Sequence, residues 1–75
     1  MNTQRRRIRD KVIEQIDIII ETLTDLRDAE EEAYENMPEN LQVGERGQQN
    51  SENVSALYSI IYEFETLKDE LESVD

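Results

Sequence analysis

Two carboxylate pairs, Glu32-x-x-Glu35 and Glu72-x-x-Asp75, have the i, i+3 spacing that places both side chains on one side of a helix, where they could hold Mg²⁺. Little else in the chain suits catalysis. Its 75 residues include no histidine and no cysteine. The commonest general base, the commonest zinc ligand, the thiolate nucleophile and the disulfide staple are therefore all excluded. The remaining chemistry is charge. Arg5, Arg6, Arg7, Arg9 and Lys11 stand against Asp10 alone, a net +4 over residues 1–11. The rest of the chain sets Arg27, Arg46 and Lys68 against 18 acids, which brings the total to −11.

Arginines at the start of a helix oppose its dipole and call for a counter-charge. Nucleic-acid phosphate is one candidate partner for Arg5, Arg6, Arg7 and Arg9. Carboxylates of the C-terminal end (Asp69, Glu70, Glu72, Asp75) or of a second subunit are another. The carboxylates are the favoured partner, because a body at −15 repels a duplex everywhere except at the tip.

The apolar residues dictate the elements that carry these groups. Ile8, Val12, Ile16, Ile19, Leu23, Leu26, Ala33 and Met37 recur in steps of three, four and their sums, a helical period. With Ile16 and Leu23 at heptad position a, Val12, Ile19, Leu26 and Ala33 fall at d, and Ile13, Ile20 and Tyr34 at e. Such a stripe is wide enough to meet more than one neighbouring helix. Glu30 interrupts it at an a position. In the same frame Glu32 and Glu35 lie at c and f, on the outside, where a metal-dependent active site could not use them. The helix is expected over residues 3–36, ended by Pro38, which disfavours helical geometry at Met37.

A second helix is expected over 50–74, capped by Asn50 or Ser51. Leu57, Phe64 and Leu71 form one of its rows, Ile60, Leu67 and Val74 another, and Val54 and Ile61 widen the stripe. The connector 37–49 holds Pro38, Gly44 and Gly47, the chain's only proline and glycines. A capping box from Asn36 to Glu39 predicts a helical turn at 38–42. The glycines suit left-handed backbone, and Leu41 and Val43 are expected to fold onto Tyr34 and Val54. At 13 residues the connector exceeds the usual helix–helix loop. It is either a packed cap or a binding loop, with Tyr34, Met37, Glu39, Leu41, Glu45 and Arg46 as the candidate contact residues.

The result is one all-α domain, 1–75, folded as an antiparallel hairpin of two long helices. Pairing Asn36 with Ser51 sets Val74 opposite Ile13 and leaves residues 3–12 overhanging. A chain this short buries little surface by itself, and the overhang exposes Ile8 and Val12. A second subunit is expected to cover them, giving a coiled-coil-like four-helix bundle. The expected interface is Ile8, Val12, Ile16, Ile19, Leu57, Ile61 and Phe64. Tyr58 and Tyr62, one turn apart, are expected to seal the hairpin edge or that interface. The longest apolar run, Ile18-Ile19-Ile20, is far short of a membrane span, and the basic start lacks the apolar stretch of a secretory signal.

The stretch Ala33-Tyr34-Glu35-Asn36-Met37-Pro38-Glu39-Asn40-Leu41-Gln42, followed by Glu45-Arg46-Gly47, resembles a connector shared by small acidic proteins of phages and prophages of Gram-positive bacteria. The resemblance covers about residues 28–72 and excludes the Arg-rich start. It implies a protein acting in the bacterial cytoplasm by binding and inhibiting a host protein, such as a defence component. The carboxylate tetrads are also broadly similar to those of all-helical nucleotide pyrophosphatases, but that likeness extends no further. The expected function is a non-catalytic, homo-oligomeric protein-binding module without metal, cofactor or membrane contact. The alternatives are a nucleic-acid-associated protein using the arginine tip and a purely structural assembly protein.

Overall fold

A computed structural model describes all residues from Met1 to Asp75. The chain forms a rod of 59 × 15 × 11 Å made of two long helices folded back on each other. Helix α1 runs Thr3–Glu35, a single turn α2 runs Glu39–Gln42, and α3 runs Glu45–Glu72. There is no strand, and the expected all-α hairpin is the architecture observed.

Asn2 starts α1: its side-chain Oδ1 accepts from the Arg5 amide at 2.9 Å, filling one of the four open donors of a helix start. Asn36 ends α1 in right-handed geometry rather than opening a capping box. Pro38 takes the N-cap of α2 with no side-chain hydrogen bond, so the expected Asn36–Glu39 box does not form. Proline nevertheless stops α1, as its ring requires.

The second long helix starts five residues earlier than the sequence led us to expect, at Glu45 rather than Asn50. Neither glycine is left-handed; no residue of the chain has positive φ. Gly47 serves a different purpose. It is buried in the first turn of α3, and a Cβ there would collide with the Gln42 backbone. The missing side chain lets α2 press against α3. The Gln42 side chain completes the elbow, its Nε2 donating to the Tyr34 carbonyl oxygen at 2.8 Å. Val43 does not fold back onto the helices but stands 83% exposed, and Leu41 is also exposed. The hydrogen bond from Gln42 takes the place of that apolar cap.

The longer α3 shifts the register by about one turn. Val74 lies beside Arg9, whose Nη1 donates to its carbonyl oxygen at 2.6 Å, not beside Ile13. The overhang is therefore shorter than expected: residues 9–12 lie alongside the C-terminal end of the chain, and residues 3–8 extend beyond the end of α3 at Glu72.

Candidate functional site: the open face of the hairpin

Heptad positions divide the molecule into two unlike sides. On α1 the residues shielded by α3 include Arg9, Ile16, Leu23 and Glu30 at a, and Ile13, Ile20, Arg27 and Tyr34 at e. On α3 the same positions are shielded: Asn50, Leu57, Phe64 and Leu71 at a, with Gly47, Val54, Ile61 and Lys68 at e. Both helices therefore meet through their a and e rows. In an antiparallel pair joined in this way, the d rows of both helices fall on one side and the b rows on the other.

The b side is closed by polar clasps. Lys68 Nζ lies 2.6 Å from Asp17 Oδ1. That hydrogen bond raises the Lys68 pKa above its ordinary value. The Arg27 guanidinium sits 4.4 Å from the centre of the Tyr58 ring. Tyr58 donates its hydroxyl to Glu31 Oε1 at 3.2 Å, and Arg27 Nη2 donates to Asp28 Oδ1 at 3.0 Å, which raises the Arg27 pKa. Tyr58 thus seals the hairpin edge, as anticipated, while Tyr62 points to solvent.

The d side is open and apolar. Val12, Ile19 and Leu26 of α1, Ile60 and Leu67 of α3, and Val74 just past the end of α3 are all exposed, Leu67 by 52%. Leu26 joins Glu30, Asn53, Ala56 and Leu57 around a shallow groove, and Ile16 joins Leu67, Glu70, Leu71 and Val74 around another, so one carboxylate borders each. These shared linings confirm that the two d rows look the same way. Against this open face the interior is slight. Ile61, 6% exposed, is the only buried apolar side chain.

The residues expected at an interface separate accordingly. Ile16, Leu57, Ile61 and Phe64 lie in the seam inside the hairpin. Ile8, Val12 and Ile19 lie on outward positions, Ile8 being 58% exposed. Val12 is exposed by its d position, whereas Ile8, at g, lies beyond the end of α3 as well as on an outward row. Leu26, Ile60, Leu67 and Val74 belong with them and were missed. Leu26 shares its d row with Val12 and Ile19, and Ile60, Leu67 and Val74 form one row of the second helix, so heptad position carried the signal.

One layer of the seam is polar. Glu30 Oε2 accepts from Asn50 Nδ2 at 2.8 Å and from Asn53 Nδ2 at 3.4 Å, while the buried Asn50 Oδ1 has no partner. The arginine tip is partly engaged. Arg6 Nε lies 2.7 Å from Asp75 Oδ1 and Arg9 holds Val74, so two of the four arginines face the C-terminal end. Arg5 and Arg7 make no ion pair, and Arg9 also pairs with Asp10 at 3.0 Å. The carboxylate pairs Glu32/Glu35 and Glu72/Asp75 are exposed, and no three acidic side chains converge as a metal site would require. In the connector, Glu39, Leu41, Glu45 and Arg46 are exposed, and Tyr34 and Met37 are half-buried. No helix is long and apolar enough to cross a membrane.

Comparison with protein-family models, with curated proteins and with solved structures finds no match to this chain.

Proposed function

We propose that this chain is a non-catalytic binding module that pairs with a second copy through its open d face and turns an acidic exterior toward a bacterial host protein. The observation that carries self-pairing is the exposure of both apolar d rows on one side of a hairpin with a single buried apolar side chain. The whole side of the rod, 59 × 15 Å, has an outline of about 900 Å², which leaves room for the ~800 Å² per partner of a standard stable interface only if most of its length is used. The occupant is argued from charge. In a chain with 19 acids, the outward rows of α1 from Ile8 to Ala33 (Ile8, Gln15, Thr22 and Ala29 beside Val12, Ile19, Leu26 and Ala33) carry none. A basic partner would find no counter-charge on these rows, whereas a copy of the same neutral, apolar strip fits them.

The exterior supports the second half of the proposal. Residues 25–52, at the loop end, set nine carboxylates against Arg27 and Arg46, a net −7. A basic protein surface is the partner such a field attracts, and the resemblance to phage proteins suggests a host protein as its owner.

Light scattering tests the pairing. The intact protein is expected at twice its 8.8 kDa chain mass at micromolar concentration. The double variant Leu26→Glu/Leu67→Glu is expected at the chain mass. A cooperatively folded native chain that stays at 8.8 kDa at that concentration overturns self-association.

A further inference from the structure

We infer that the second copy docks reversed, so that the loop end of each hairpin lies against the termini end of the other. The inference rests on the open face being the self-pairing surface, as proposed above.

Two hairpins meeting face to face about a two-fold axis have two choices. With the axis along the rod, both loop ends lie together. With the axis across the rod, they lie at opposite ends. The charge distribution separates these cases. The loop end, residues 25–52, carries −7, whereas the termini end, residues 1–12 with 68–75, sets six cations against five acids, a net +1. Loops together would set −7 against −7. It would also place the two Glu30 carboxylates in one layer beside Asn50 and Asn53, near acceptors that already lack donors. Loops apart separates the like charges by nearly the 59 Å length of the rod, many times the ~8 Å screening length at physiological salt.

The side chains of α1 agree with reversal. Its outward d row reads Arg5, Val12, Ile19, Leu26, Ala33. Reversed about Ile19, the row matches itself: Ile19 meets Ile19, Val12 meets Leu26, and Arg5 meets Ala33. Arg5 then lies one helical turn from Glu30 of the other copy. Arg5 makes no ion pair within its own hairpin, so the reversed copy supplies one. The flanking row Ile8, Gln15, Thr22, Ala29 is uncharged, so the two α1 helices can lie side by side. On α3 the carboxylates of Glu63 and Glu70 flank the d row; both are exposed, so water screens them.

A distance measurement decides the orientation. The chain has no cysteine, and Val43 stands exposed on the connector and lines neither groove of the face. Val43→Cys carrying a nitroxide label should give one label-to-label distance of about 50–60 Å in the dimer, set by the length of two reversed helices. A distance below about 25 Å in a dimer verified by light scattering overturns reversed docking and leaves the face assignment standing. A labelled protein that remains a single subunit overturns both. In a second measurement, Arg5→Glu and Glu30→Arg should each weaken association about tenfold, and the two together should restore it. Failure of the double variant to recover overturns the Arg5–Glu30 contact and the reversed register that creates it.

Discussion

Lys68 Nζ lies 2.6 Å from Asp17 Oδ1, which binds α3 to α1 on the side away from the open face. The contact raises the Lys68 pKa, so its contribution to stability is fully present below the ordinary lysine value of 10.5 and is lost as pH rises through the raised value. Thermal melts of the native protein should therefore fall in strongly alkaline solution, and Asp17→Asn should flatten that fall by lowering the melting temperature at neutral pH by the same small amount. An equal alkaline fall in Asp17→Asn would show that another group is responsible.

Gly47→Ala is expected to destabilise the hairpin by about 1–3 kcal/mol, the usual cost of forcing atoms into a filled space. Its Cβ would meet backbone at Gln42, which cannot swing aside. Gly44→Ala, where the nearest atoms are 3.6 Å away, provides the control. Circular-dichroism melts that rank the two variants equally would show that α2 does not press on α3.

Ile61 and Leu67 should respond in different ways. Ile61→Ala removes the one buried apolar side chain of the hairpin and should cost about 2–4 kcal/mol. Leu67→Glu should leave the seam intact but remove the rise in melting temperature with protein concentration that self-association confers. Melting curves over a hundredfold range of concentration separate the two effects, and a melting temperature of the native protein independent of concentration would contradict the pairing.

Replacing Glu30 and Asn50 together by leucine should raise thermal stability, because an apolar pair of similar volume avoids the desolvation of a carboxylate and of an amide oxygen without a donor. The same change should loosen orientation, since a polar layer in a helical bundle fixes register. A single, sharp label distance at Val43→Cys in this background would show that the polar layer does not set orientation.

Reversing charge at Glu39, Glu45 and Arg46 tests the connector as a contact surface. All three are exposed, so helix content and dimer mass should persist while capture of a basic host protein is lost. Unchanged capture by the folded triple variant would reduce the connector to an elbow.

Much of the hairpin was legible in the sequence because helical period and proline are strong local signals. Pro38 ends α1 as its ring requires, whereas the Asn2 cap is seen only in the structure. The start of α3 was not legible. Gly47 suggested a left-handed turn, and only its contact with Gln42, made through the fold, shows that the missing Cβ is needed inside a helix. That displaced start moved the register by a turn and brought Val74 to Arg9. The open face was half legible: the d positions of Val12, Ile19 and Leu26 were evident, but which rows the hairpin itself consumes depends on how α3 lies against α1. Tyr58 beneath Arg27 is legible only in three dimensions, since 31 residues of chain separate the partners.

A hairpin that hides one isoleucine and little else has almost no independent thermodynamic reserve. With the pairing proposed above, folding and encounter with a twin would become a single equilibrium, governed by how many copies a cell holds. Scarce chains would stay open to proteases and abundant ones would persist, so synthesis rate alone would set a threshold for the appearance of the working form.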